Sequence, residues 1–140
     1  MRTLSEGVTA VGAELPELRL ELTPTLIIST AIATIDFTPV HHDVARARAQ
    51  GAADIFLNIL TTMGLVERYV TDWAGPEAMI CAINVKLGVP AYAGDTLVFS
   101  GTVVAEDDGE CTVEVRGRVS LGDHALGTVR FRPPGPEGAG

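Results

Sequence analysis

The sequence is poor in the residues that build disulfide frameworks, metal clusters and basic surfaces. Its 140 residues include two cysteines, Cys81 and Cys111, which form no Cys-x-x-Cys motif. Because an isolated cysteine behaves as a small apolar side chain, we expect both to be buried, rather than to form a disulfide or a metal pair. Ten basic residues stand against 18 acidic ones, and the formal net charge is −8. This balance argues against nucleic acid or an anionic membrane surface as a partner, since both require a basic face.

Long apolar runs are scarce as well. None approaches the roughly 20 residues that a membrane-spanning helix needs, so we expect no membrane association. Residues 1–7 lack the apolar core of a secretory signal, which favours a cytoplasmic protein. The hydrophobic fraction of 46% and the mean hydropathy of +0.27 nevertheless exclude a disordered chain. A chain of this length is expected to form one domain around its own core.

The two ends of the chain differ in composition from the rest. Residues 1–11 mix small and polar side chains, and residues 133–140 hold three of the eight prolines. Proline continues neither a helix nor a strand ladder. We therefore predict a flexible N-terminus over 1–11, one domain over 12–132 and a disordered tail over 133–140.

Apolar and polar residues alternate through much of the C-terminal half. This period of two is typical of antiparallel strands with one buried face, and it predicts strands at 96–106, 111–120 and 125–131. Asp and Gly residues at 107–110 and 122–123 predict the turns between them. Two further strands are expected at 77–87 and 17–22. The residues predicted to face inward are Leu97, Phe99, Val103, Cys111, Val113, Val115, Val119, Val129 and Phe131.

Residues 58–72 have a helical pattern instead. Their apolar positions span most of a helix circumference, which predicts a helix buried on all sides. Asn58 is the expected N-cap, its side-chain oxygen accepting a free N–H of the first turn. Gly64 inside the helix indicates close packing by a neighbouring backbone. A buried helix with five antiparallel strands predicts an α+β domain in which the sheet wraps the helix.

Residues 25–34 are ambiguous, because their branched side chains suit a strand. Thr23 followed by Pro24 is typical of a cap and a first helical position, and we favour a short helix.

The densest polar cluster in an apolar region lies at residues 36–43. Pro39 disfavours a helical conformation at the preceding residue, so this stretch is expected to be a loop. Asp36 and His41 on such a loop can converge for general acid–base catalysis. A solvated loop in which Asp36 caps a backbone group is the alternative. A metal site at His41, His42 and Asp43 is less favoured, since adjacent residues rarely aim at one ion.

The start of the predicted helix is the second candidate. Free N–H groups at Ile59 and Leu60 would stabilise a developing negative oxygen. Combined with the loop, they supply the base, the acid and the oxyanion site that enolate chemistry needs. A third segment, residues 90–97, is interpreted as a structural turn that leads into a strand, with Gly94 at the bend.

Taken together, these segments resemble a known family. Asp36-x-x-Pro39-x-His41 is similar to the D-x-N-P-x-H signature of the MaoC-like (R)-specific enoyl-CoA hydratases, and Pro90-x-x-x-Gly94 with the residues after it is similar to their strand-leading motif. The resemblance implies the hot-dog fold, in which an antiparallel five-stranded sheet wraps one long buried helix. Longer strings resemble one branch, the small catalytic subunits of heteromeric hydratases in bacterial steroid (cholesterol) side-chain degradation. They lie at residues 36–37, 40–43, 54–56, 58–61, 68–76 and 87–90.

The resemblance also implies an activity and its residues. The reaction would be the addition of water across the α,β double bond of an acyl-CoA, with no cofactor, because CoA is part of the substrate. The implied catalytic residues are Asp36 and His41, and the implied oxyanion donor is the backbone N–H of Ile59. Three further residues would support the site or bind substrate: Thr38, Asn58 and His42. Two of them depart from the wider family, where Asn stands at position 38 and His-Gly at positions 58–59.

For the steroid branch, the implied substrate is a C22-type side-chain acyl-CoA with a 17(20) double bond. The implied partner is a second MaoC-like chain, fused to a DUF35-type domain, in a heterotetramer that links to a thiolase-like aldolase. Two alternatives remain open. One is a homodimeric fatty enoyl-CoA hydratase or 3-hydroxyacyl-thioester dehydratase, and the other is a non-catalytic hot-dog subunit that binds acyl-CoA.

Overall fold

Five antiparallel strands form one sheet, as the alternating pattern predicts. In chain order they are β1 (Glu14–Glu21), β2 (Met79–Leu87), β3 (Thr96–Asp107), β4 (Glu110–Val119) and β5 (Gly122–Arg132). Their order across the sheet is β1-β3-β4-β5-β2, so β1 and β2 are the edge strands. The structure is a computed structural model that describes residues 10–134. The predicted flexible N-terminus and disordered tail therefore fall largely outside the described residues.

Three helices accompany the sheet: α1 (Pro24–Ala33), α2 (Val44–Ala49) and α3 (Ile59–Ala74). A single 3-10 turn at Pro39–His41 precedes α2. The predicted short helix is confirmed as α1, with the Thr23 hydroxyl accepting from Leu26 N and Pro24 in the first turn. The sequence analysis missed α2, which Asp43 caps by accepting from Arg46 N at 3.2 Å. None of the described helices is long and apolar enough to cross a membrane.

The inner face of the sheet forms the core. Every residue predicted to face inward on β3, β4 and β5 is buried. The turn from β3 to β4 places Asp108 at φ 51° and Gly109 at φ 74°, which matches the twist that a tight hairpin needs. On β5, the missing side chain of Gly127 permits close pairing, since a Cβ there would lie 2.3 Å from the Asn84 carbonyl oxygen of β2.

Helix α3 lies along this core for about 24 Å. Tyr69 stacks on Phe99 with ring centroids 5.5 Å apart, and Trp73 meets Phe131 edge-on at 6.0 Å. Only one face of the helix is buried, however, so the prediction of burial on all sides is wrong for the isolated chain. Gly64 lies on the outer face with no atom within 4 Å of a Cβ built there, which overturns its predicted packing role.

The two cysteines lie in different environments. Cys111 is buried on β4, as predicted, and burial raises the pKa of its thiol to about 11. Cys81 is exposed, so the prediction that it is buried is wrong. It lies on β2 between the half-buried Ile80 and Ala82, so its side chain is on the outer face of the strand.

Candidate active site

The end of α1 holds Asp36 in place. Asp36 N donates to Ala31 O at 2.9 Å and Ile35 N donates to Ile32 O at 3.0 Å. These two bonds close the helix in a Schellman motif, which requires a left-handed residue at its end. That residue is Ile35, at φ 58°. A β-branched side chain is unfavourable there, so the motif stabilises a strained turn directly before Asp36.

Thr38 holds one oxygen of the Asp36 carboxylate. The Thr38 hydroxyl donates to Asp36 Oδ1 at 2.8 Å, and Thr38 N donates to the same oxygen at 3.2 Å. The hydroxyl bond is the main cause that lowers the pKa of Asp36 below its ordinary value. Thr38 therefore holds the Asp36 carboxylate from the position where the wider family has Asn. The other oxygen, Oδ2, faces His41.

His41 is held between a backbone carbonyl and this carboxylate. Its Nδ1 lies 2.7 Å from Phe56 O, and its Nε2 lies 3.4 Å from Asp36 Oδ2. A carbonyl oxygen only accepts, so Nδ1 carries a hydrogen. The side chain is 10% exposed, and the Phe56 ring packs edge-on against it at 5.0 Å. The loop thus brings Asp36 and His41 together, as the sequence predicts.

Asn58 occupies the N-cap position of α3 but does not cap it. Its Nδ2 donates to Thr34 Oγ1 at 2.8 Å, and its Oδ1 accepts from the Thr61 hydroxyl. The prediction that Asn58 caps a first-turn N–H is therefore wrong, because both ends of the amide are engaged elsewhere. As a result, no side chain caps the first N–H groups of α3, which begin at Ile59. These groups, at the positive end of the helix dipole, are available to a ligand oxygen.

His42 and Asp43 point away from this arrangement. His42 is exposed, and its Nε2 lies 3.1 Å from Phe37 O, while Asp43 caps α2. The three residues considered for a metal site therefore have three separate partners. Around Asp36, by contrast, the surface is apolar. Its exposed side chains, which we call the apolar rim, are Ile32, Ile35, Phe37, Ile59 and Leu60.

Residues 90–97 have the structural role that we predicted. Gly94 bends the chain at φ 90°, and Asp95 accepts from the Ser120 hydroxyl at 2.6 Å and from Thr96 N at 2.7 Å. The first of these bonds is the main cause that lowers the pKa of Asp95. This turn therefore ties the start of β3 to the end of β4.

Two groups of the site escaped the sequence analysis. The Phe56 carbonyl, which orients His41, is a backbone atom and has no sequence signal. Thr34 lies 24 residues from Asn58, and only the fold brings their side chains together. An exposed-looking threonine at a helix end gives no indication of such a contact.

A five-stranded sheet that wraps one long helix is the hot-dog fold, and here an Asp–His pair lies beside the open end of that helix. Comparisons with known proteins agree. The family described as MaoC like domain matches residues 8–124. The 3-oxo-4,17-pregnadiene-20-carboxyl-CoA hydratase beta subunit of Mycobacterium tuberculosis is 62% identical over 124 residues, which cover 89% of this chain and 96% of that subunit.

Solved structures give the same result. A chain of the ChsH1-ChsH2 complex from Mycobacterium tuberculosis superposes with a TM-score of 0.88 at 60% identity, covering 89% of this chain and 98% of that one. The (R)-hydratase from A. caviae involved in PHA biosynthesis has a TM-score of 0.83 at 19% identity, with coverage of 93% and 100% respectively, and shows the shared fold. The chain belongs to the MaoC-like domain family, and it is a hydro-lyase.

Proposed function

We propose that this protein is the catalytic subunit of an enoyl-CoA hydratase that acts on a steroid side-chain acyl-CoA. The observation that supports this proposal best is the Asp36–His41 contact of 3.4 Å beside the uncapped start of α3. Base, acid and oxyanion donor are the three groups that water addition next to a thioester carbonyl requires. The 62% identity to a subunit named for a pregnadiene-carboxyl-CoA supports the substrate class.

In the proposed mechanism, Asp36 is the base. The Thr38 bond favours its ionised form, so the carboxylate takes a proton from water as the water oxygen bonds to Cβ. Electrons of the double bond move to the thioester oxygen, which the Ile59 N–H stabilises as an enolate. The proton on Asp36 then passes to Nε2 of His41, which lies 3.4 Å from Oδ2, and from Nε2 to Cα. Both groups return to their starting states, so one water is added and no cofactor is consumed.

The apolar rim supports a bulky apolar substrate. Ile35 is 77% exposed and Phe37 is 63% exposed, on either side of the catalytic Asp36. Large apolar side chains grouped around a polar pair are typical of a site that binds an apolar body and orients a reactive group. A steroid with a C22-type side chain and a 17(20) double bond fits this surface, and its hydration gives a tertiary alcohol.

The assembly that we propose is heteromeric. Edge strand β2 pairs only with β5 in the described chain, so its outer side can continue into the sheet of a second chain. The rim would then be covered by substrate and partner together. A partner of the MaoC-like type, fused to a DUF35-type domain, in a heterotetramer linked to a thiolase-like aldolase, completes the proposal. The structural relative in the ChsH1-ChsH2 complex supports a partner chain.

The test uses the protein co-purified with its partner chain and follows the loss of enoyl-thioester absorbance. We expect turnover of a 17(20)-unsaturated steroid acyl-CoA, with Asp36→Asn and His41→Ala each lowering kcat on the order of 10²–10⁴-fold. Near-normal rates in both variants would reject the assignment. Full activity on crotonyl-CoA by this chain alone would instead favour a homodimeric fatty enoyl-CoA hydratase. Binding without any turnover would favour an acyl-CoA-binding subunit.

A further inference from the structure

The buried side chain of Asn58 connects the elements that carry the catalytic groups. It is 1% exposed, and it joins the last residue of α1 to the first turn of α3 through Thr34 and Thr61. Thr34 lies two residues before Asp36, and the Schellman bonds fix Asp36 relative to α1. Ile59, which follows Asn58 directly, supplies the first N–H of α3. The separation between base and oxyanion donor therefore depends on this one amide.

His41 is tied to the same stretch of chain. Its Nδ1 donates to Phe56 O, two residues before Asn58. Residues 56–61, which we call the site segment, therefore contact or supply all three groups. The Phe56 carbonyl orients His41, the Asn58 amide holds the end of α1 that leads to Asp36, and the N–H of Ile59 is the oxyanion donor.

The Asn58 side chain does not make the bond that is usual for an N-cap residue. An Asn at the N-cap ordinarily accepts from the N–H of the second or third helical residue. Here Oδ1 accepts from the hydroxyl of the third helical residue, Thr61, and the N–H groups stay open. Helix α3 therefore forgoes the stabilising bond that an N-cap Asn ordinarily makes. A residue with only a structural role would be expected to make that bond.

We propose, as an extension of the proposed function, that Asn58 is a positioning residue. By binding Thr34 and Thr61, it sets the distance between Asp36 and the Ile59 N–H, the donor to the thioester oxygen. Its amide touches neither water nor substrate in this mechanism. Its effect is on kcat, through geometry.

The first test removes the partner of Asn58 and leaves Asn58 in place. Thr34→Val keeps the shape of the side chain but deletes the acceptor for Nδ2, whereas Thr34→Ser keeps the hydroxyl. We expect Thr34→Val to lower kcat between about tenfold and a hundredfold with little change in KM, since small displacements of a reacting group have effects of this size. Thr34→Ser should restore most of the rate. Thr71→Val removes a hydroxyl on α3 that bonds only to Glu67 O and Arg68 O, and it should be silent.

The second test uses the pH profile, which responds to a charge at position 58 only when that side chain lies close to Asp36. Asn58→Asp puts a carboxylate near Asp36, and the like charge raises the pKa of Asp36. The acidic limb of kcat/KM should then move to higher pH. Wild-type kcat in Thr34→Val, together with a wild-type pH profile in Asn58→Asp, would overturn the inference while Asp36→Asn remains inactive. Activity in Asp36→Asn would remove the proposed function, and this inference with it.

Discussion

The Thr38 hydroxyl donates to Asp36 Oδ1 at 2.8 Å, and this contact is the main cause of the lowered pKa of the Asp36 carboxyl. A hydrogen bond to the charged form of an acid favours that form. Asp36 thus stays ionised at a pH where an ordinary aspartate begins to protonate. A residue that acts as a base therefore stays ionised, and able to accept a proton, at a lower pH when it has such a contact.

Replacing Thr38 should therefore narrow the pH range in which Asp36 acts as a base. In Thr38→Val the hydroxyl is lost, the pKa of Asp36 rises towards its ordinary value, and the acidic limb of kcat/KM moves to higher pH. Thr38→Ser, which retains the hydroxyl, is the matched control and should keep the wild-type profile. The measurement is kcat/KM from about pH 3 to pH 7, a range that includes the ordinary aspartate pKa of about 3.9. Coincident acidic limbs for the Val and Ser variants would contradict this role.

Stability should depend on the buried His124. Its Nδ1 lies 2.7 Å from Val89 O and its Nε2 lies 2.8 Å from Thr62 Oγ1, and burial lowers its pKa. The folded protein therefore resists protonation that the unfolded chain accepts. Stability is complete above the unfolded pKa of about 6.5 and falls as the pH drops below it, by at most about 1.4 kcal/mol per pH unit for one proton.

The measurement is urea denaturation at pH 7.5 and pH 5.5. His124→Asn keeps an amide N–H for Val89 O but cannot titrate, so it should lose less stability between the two values than wild type does. Every other group is the same in both proteins, so the comparison isolates position 124. Equal losses in the two proteins would show that His124 does not carry the effect.

Two glycine substitutions should act in opposite directions. Gly64→Ala adds a methyl group to the open face of α3 and should raise the free energy of unfolding by up to about 1 kcal/mol. Gly127→Ala places a Cβ against Asn84 O and should lower it by about 1–3 kcal/mol or more, because backbone atoms must shift. Denaturant midpoints compare the pair directly. A destabilised Gly64→Ala would mean that the outer face of α3 is covered.

Relief of the strained turn before Asp36 is also measurable. Ile35 is exposed and has a φ of 58°, so Ile35→Gly removes a penalty of about 1–2 kcal/mol. The greater freedom of glycine in the unfolded chain returns about 0.5–1 kcal/mol of this. We expect a net stabilisation of up to about 1 kcal/mol. Ile35→Val, which is also branched, should show no such gain, and equal denaturant midpoints for the two variants would argue against strain.

The sequence predicts most of this fold because one face of the sheet is buried. The alternation of apolar and polar residues places Phe99, Val113 and Val129 on that face. Asp36 and His41 could be predicted because they lie five positions apart on one loop. The role of Asn58 could not, since its amide has a local use as a cap and a distant use at Thr34, and only the fold decides between them. Cys81 was misplaced because the alternation in β2 puts it on the outer face, between Ile80 and Ala82.

At the open start of α3, the hydrogen-bond donor and the shape of the surrounding surface depend on different parts of one residue. In the proposed mechanism the oxyanion donor is the main-chain N–H of residue 59, which every amino acid except proline supplies, so the side chain there can change without removing the donor. Ile59 is half exposed beside Asp36. Natural variation or directed evolution at this one position can therefore reshape the pocket for new acyl groups while the chemistry is inherited unchanged.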